Sequence, residues 1–165
     1  MQFWLILITC RSRGLGVKVK LSIQVKLFIQ VGNVEKVMSL LNGKKSGAPI
    51  IFVVDDEPML LDLAEAILLP FGFEVRTFRD PELALKEFSK VHPKVVITDY
   101  AMGRMSGMDL IRECRRENPN QKMVLVSGTV DEYVFADAPV KPDQFITKPY
   151  QVKEFTDSIR ALAAA

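Results

Sequence analysis

The sequence predicts an α/β fold, a doubly wound five-stranded parallel sheet preceded by an N-terminal extension. Three observations carry that prediction. Short β-branched runs, Val95-Val96-Ile97 and Ile50–Val54 among them, read as strands buried on both faces. From Ala48 onward such runs alternate with stretches of helical spacing. The composition also changes near residue 47, where residues 1–47 hold eight Lys/Arg against the single acid Glu35, and residues 48–165 hold 14 Lys/Arg against 19 Asp/Glu.

The formal net charge of +2 therefore averages two unlike parts. A length of 165 residues suits one domain plus an extension, and 48% hydrophobic content is enough for a core. We place the boundary in Asn42-Gly43-Lys44-Lys45-Ser46-Gly47, giving an extension at 1–47 and a domain at 48–165. Cys10 and Cys114 lack metal-ligand spacing and suit free thiols in a reducing compartment. No apolar run reaches the roughly 18–20 residues that span a bilayer. Phe3–Ile8 is short and has no basic residue before it, so no signal peptide is read. The expectation is a cytoplasmic protein with no membrane partner.

In the extension, every odd position from Val17 to Val31 is apolar, while most even ones are Lys, Ser or Gln. That is a strand period, yet one strand of this length would run about 50 Å at roughly 3.3 Å per residue. Three readings of residues 1–37 stay open: an added strand or hairpin, a helical or poorly ordered extension, or untranslated sequence with Met38 as the true start. Arg11, Arg13 and the lysines read as a solvated face, since no aromatic residues interleave with them.

Each element of the domain has a local reason. Ile50–Val54 is the first strand. Pro58 stands at a favoured first helical position, and Leu60, Leu61, Ala64, Ile67 and Leu68 follow at helical spacing until Pro70 and Gly72 stop them. Phe73–Phe78 is the second strand. Asp80-Pro81 caps and starts a helix bearing Leu83, Ala84, Phe88 and Val91. The central strand follows Pro93. The next helix carries Met108, Leu110, Ile111 and Cys114, with Arg112, Arg115 and Arg116 outside, and ends at Asn118-Pro119. Lys122–Val126 is the fourth strand, running into Ser127-Gly128. Residues 131–138 offer a short helix that Pro139 and Pro142 truncate. Gln144–Thr147 is the fifth strand, and Val152, Phe155, Ile159 and Leu162 line a last helix. A flavodoxin-like order, 2-1-3-4-5, would set the first and third strands side by side at the switch point, where ligands bind beyond the carboxyl ends of the strands.

The chemistry gathers at those ends. Asp99 closes the central strand, and Asp55-Asp56-Glu57 follows the first. An aspartate at a strand end is commonly only a turn residue. Two neighbouring strands that both end in carboxylates are different, because like charges so close are costly unless a cation lies between them. Lys148 alone would be a surface lysine, Ser127-Gly128 a turn and Phe145 plain core. Lys148 next to Pro149 at a strand end beside three carboxylates is less ordinary.

Four stretches, each at a strand end and in this order, resemble the receiver domain of two-component response regulators. They are Val-Val-Asp-Asp-Glu-Pro (53–58), Ile-Thr-Asp-Tyr-Ala-Met-Gly-Arg-Met-Ser-Gly (97–107), Val-Ser-Gly (126–128) and Phe-Ile-Thr-Lys-Pro (145–149). The resemblance covers residues 48–165. It implies that Asp99 is the phosphoacceptor, attacking a phosphohistidine of a sensor histidine kinase or histidine phosphotransfer protein. It implies Mg²⁺ held by Asp56, Asp99 and the backbone carbonyl of Ala101, with Asp55 supporting the site. Lys148 and Ser127 would meet the phosphoryl oxygens, and Ser127 and Phe145 would act as the switch.

Two departures bear on that picture. Gly103 stands where the family usually has proline. Residues 131–143 lack a clear helical pattern on a face the family uses for output or dimerisation, so a homodimer stays an open state. The expectation is a switch or relay without an output domain, acting on a protein target with no direct DNA binding, since nothing resembles a helix-turn-helix. Two other classes fit the residues less well. An aspartyl-phosphate phosphatase on a similar sheet would need a second aspartate at position 101, where Ala101 stands. A phosphorylation-independent interaction scaffold would not need the acid and lysine set, all of which is present.

Overall fold

The computed structural model describes residues 47–128 and 132–165. The alternating segment 17–31, the three readings of residues 1–37 and Met38 as a start lie outside the described residues. Five strands, β1 (Ile50–Val54), β2 (Glu74–Phe78), β3 (Val95–Asp99), β4 (Lys122–Ser127) and β5 (Gln144–Thr147), form one parallel sheet in the order β2-β1-β3-β4-β5. Among the described residues, four α-helices connect and flank them: α1 (Pro58–Leu68), α2 (Pro81–Val91), α3 (Gly107–Glu117) and α4 (Val152–Ala164). The expected flavodoxin-like strand order is the one observed.

The period of two along each strand divides the core. Ile51, Val53, Val95, Ile97, Val124 and Val126 face Leu61, Ala64 and Ile67 of α1 and Phe155 and Ile159 of α4. Their chain neighbours Phe52, Val54, Val96, Met123 and Leu125 face Ala84 and Phe88 of α2 and Leu110, Ile111 and Cys114 of α3. Burying such side chains stabilises by about 1.5–3 kcal/mol each, which is why Ile51–Val54, Val95–Ile97 and Met123–Val126 are unbroken apolar runs, while the edge strand β2 carries Glu74, Arg76 and Thr77.

The helix boundaries follow the local signals. Asp80 caps α2 by accepting from the Glu82 amide at 2.8 Å, and Pro81 opens it. Ser106 caps α3 in a reciprocal box: its hydroxyl accepts from the Asp109 amide at 3.2 Å, and Asp109 Oδ2 accepts from the Ser106 amide at 3.1 Å. After α1 a 3₁₀ turn, Leu69–Phe71, ends at Gly72 with φ of 85°, a left-handed position suited to glycine.

Four expectations differ from the structure. Leu83 is 52% exposed, because α2 buries Pro81, Ala84 and Phe88 instead. Val152, at the first turn of α4, is exposed. Arg115 is not outside: its Nη2 donates to Asp143 Oδ2 at 2.7 Å, which ties α3 to the start of β5. The helix expected at 131–138 is a 3₁₀ turn, Glu132–Phe135, with Thr129–Asp131 outside the described residues. Pro139 and Pro142 remove backbone donors just beyond it.

Candidate functional site

The site is assembled by bonds that carry the ladder one step past each strand. Asp55 follows β1, its amide donating to the Phe78 carbonyl at 3.1 Å. The register of β1 on β3 pairs Val54 with Thr98, so the next residues, Asp55 and Asp99, are neighbours. The Tyr100 amide donates to the Val126 carbonyl at 2.9 Å, and the Lys148 amide to the Ser127 carbonyl at 2.7 Å. Thr147 pairs with Ser127, which brings Lys148 to the same edge. The Lys148–Pro149 peptide is cis.

The Lys148 ammonium then closes the site. Its Nζ donates to Asp99 Oδ1 at 2.6 Å and to Asp55 Oδ2 at 2.9 Å. Burial alone would lower the lysine's pKa, but the hydrogen bonds to Asp55 and Asp99 outweigh it and hold the ammonium above the ordinary range. The remaining carboxylate oxygens are also engaged: Asp99 Oδ2 accepts from the Ala101 amide at 2.7 Å, and Asp55 Oδ1 from the Glu57 amide at 2.9 Å. Asp99 nonetheless keeps 12% of its side chain open to solvent, against 8% for Asp55.

Other expected residues fall into place unevenly. Ser127 is buried at the end of β4. Asp56 is exposed, and its carbonyl accepts from Arg79 Nε at 3.4 Å. Ala101 is exposed in the loop after Asp99. Phe145 is half-buried, with its ring 5.4 Å from that of Phe135. It borders two open clefts of about 740 and 700 Å³, both of which Tyr133 also lines. Asp55 was expected to support a metal; here it is a direct partner of Lys148.

Among the described residues, no three acidic, histidine or cysteine side chains stand together as a metal cage. Mg²⁺ does not need one, since it keeps several waters and takes one or two carboxylates with substrate oxygens. Two carboxylates already converge on one cation, the Lys148 ammonium, and the donors at this edge are all hard oxygens. The residues present fit a small divalent ion.

Sequence reasoning missed two residues that touch Asp99. Thr98 donates its hydroxyl to the Asp99 carbonyl at 3.0 Å, and Gly107 packs against that same carbonyl. Thr98 gives no signal beyond a polar residue inside an apolar strand. Gly107 had one, a glycine placed where a helix begins.

A family model, the response regulator receiver domain, matches residues 51–160, and the chain belongs to that family. The probable transcriptional regulatory protein TcrX of Mycobacterium tuberculosis is 30% identical over 122 residues, 72% of this chain and 52% of TcrX. The DNA-binding response regulator MtrA of Mycolicibacterium smegmatis is 28% identical over 111 residues, 67% of this chain and 49% of MtrA. Among solved structures, the response regulator TrrA of Thermotoga maritima, in complex with Mg²⁺ and a beryllium fluoride, superposes with a TM-score of 0.62 at 27% identity. It covers 69% of this chain and 98% of TrrA.

These relatives correct one expectation. Partners were expected to exclude DNA, yet MtrA is a DNA-binding response regulator and TcrX a probable transcriptional regulator. The expectation rested on finding no helix-turn-helix pattern among residues that belong to the receiver. The chain spans about half the length of these curated relatives, so the pattern read here does not speak for DNA contact. Among the described residues, no helix is long and apolar enough to cross a membrane.

Proposed function

We propose that this receiver, placed at residues 48–165, accepts a phosphoryl group on Asp99 from a phosphohistidine donor and passes its changed state to an output that acts on transcription. The observation that carries the reading is the single ammonium of Lys148 shared between Asp55 and Asp99 at the carboxyl edge of the sheet. Phosphoryl transfer asks for positioning and for charge neutralisation on the equatorial oxygens more than for covalent help. A carboxylate held by an ammonium and a backbone amide, yet still open to solvent, is placed to meet both needs.

In this reading an Asp99 carboxylate oxygen forms the new bond to phosphorus as the donor's P–N bond breaks, and the leaving imidazole takes the electron pair. Lys148 swings from carboxylate to phosphoryl oxygen without leaving the site. The Ser127 hydroxyl donates to a second oxygen. Asp55, Asp56, Asp99 and the Ala101 carbonyl would hold Mg²⁺, which when bound offsets charge on the phosphoryl oxygens. Water later cleaves the aspartyl phosphate and resets the switch. The added charge, about −1.5 to −2, draws Ser127 inward and lets Phe145 turn from Phe135 into the space behind it. The setting is the cytoplasm.

Acetyl phosphate with Mg²⁺ should add one phosphoryl group to the full chain, located at Asp99 by mass spectrometry, and Asp99→Asn should abolish it. Labelling that persisted in Asp99→Asn would move the acceptor elsewhere.

A further inference from the structure

Two glycines follow Asp99 before and at the start of α3, and they meet different surroundings. A Cβ on Gly103 would find nothing within 4 Å. A Cβ on Gly107 would overlap the Asp99 carbonyl oxygen, and would lie 3.0 Å from the Asp99 carbonyl carbon and 2.8 Å from Leu125 Cδ1. Neither glycine has a left-handed φ, so Gly107 is required by close approach and not by backbone conformation. The Leu125 methyl is the tip of a side chain and can turn aside. The Asp99 peptide is backbone and gives way only by turning its own side chain with it.

That peptide is fixed from several sides. Asp99 pairs with Val126 in the ladder, and the Tyr100 amide donates to the Val126 carbonyl. The Gly107 amide donates to the Tyr100 carbonyl at 3.0 Å, which ties the first residue of α3 to the turn just after Asp99. On the strand side, Thr98 is fully buried and donates its hydroxyl to the Asp99 carbonyl, with Met102 Sδ 4.0 Å from the same hydroxyl. A wholly buried hydroxyl needs a partner, and the Asp99 carbonyl is the strongest one available to it.

We infer that Thr98 and Gly107 are positioning residues for Asp99: the Thr98 hydroxyl and the bare Gly107 Cα grip the Asp99 carbonyl and so aim its carboxylate at Lys148 and the Ala101 amide. The inference rests on reading Asp99 as the phosphoacceptor. Turning this peptide tilts the Cα–Cβ bond, and a displacement of about 1 Å in a reacting group can cost on the order of a hundredfold in rate. A Cβ at 107 must shift the carbonyl by part of that distance.

The test uses the full chain and two readouts: the initial rate of Asp99 labelling by acetyl phosphate with Mg²⁺, and the Ala101 amide resonance without any phosphodonor. Gly107→Ala should slow labelling about tenfold and move the Ala101 amide, while Gly103→Ala leaves both as in the wild type. A folded Gly107→Ala with wild-type rate and resonance overturns the inference, as does a Gly103→Ala that behaves like Gly107→Ala. Should Gly107→Ala fail to fold, Thr98→Val decides, because it keeps the shape and removes only the donor. It should move the Ala101 amide and slow labelling about threefold; no change in either overturns the inference. Wild-type chain that takes no label at Asp99 is a failure of the acceptor reading itself, and the amide resonance then still judges the grip.

Discussion

At the scale of residues, the ammonium of Lys148 is pulled two ways, and the hydrogen bonds win over burial. Its raised pKa has a definite consequence for stability. The contribution is fully present below the unfolded lysine value, about 10.4, and is lost as pH rises through the higher folded value. The melting temperature of the wild type should therefore exceed that of Lys148→Met at pH 8, and the gap should narrow above pH of about 10.4. A gap that stays constant to the alkaline limit would mean the ion pairs contribute nothing. Cys114 shows the opposite outcome. Burial, helped by Glu117 and Glu113, pushes its thiol up to about 12, so at neutral pH it is an apolar core side chain and no nucleophile. The acids and the lysine were readable from their places at strand ends. Thr98 was not, because a buried threonine in a strand carries no mark of what its hydroxyl touches.

At the scale of elements, α3 starts from the loop that leaves Asp99, so its cap fixes where that loop ends. The Ser106 hydroxyl also donates to Asp109 Oδ2 at 2.6 Å, and these bonds hold the Asp109 carboxyl below its usual range. Ser106→Ala should cost about 1 kcal/mol, within the usual 0.5–2, measured by denaturant unfolding. No loss would show that the tie from Gly107 to Tyr100 suffices to start the helix. The segment between β4 and β5 is the contrasting case. Its prolines announced a broken helix, and a four-residue 3₁₀ turn is what forms. The ring of Phe135 at its end still reaches Phe145 and stays buried. Composition signalled the break; the aromatic contact that survives it depends on how β5 lies beside the turn.

At the scale of the whole molecule, two apolar layers sandwich the sheet, and the site lies along its carboxyl edge where both layers end. Phe88, fully buried in the α2–α3 layer, is no part of the site yet supports the strands that carry it. Phe88→Ala should cost about 3–5 kcal/mol in a denaturant titration, with labelling of Asp99 intact below the lowered melting temperature. A loss under about 1 kcal/mol, below the range such truncations show, would mean the layer closes around the gap and Phe88 does not hold it together. The sequence by itself determined the elements, their order and the kinds of side chain at the strand ends, because hydrophobic period, caps and turn residues act over a few positions. Only the tertiary structure decided that Lys148 meets Asp99 from 49 residues away and Asp55 from 93. It alone decided that Asp55 is a lysine partner, that Arg115 turns inward to Asp143 and that Gly107 abuts the acceptor's own peptide. Such contacts are set by strand order and register, which arise when distant segments pair and which no local stretch of chain encodes.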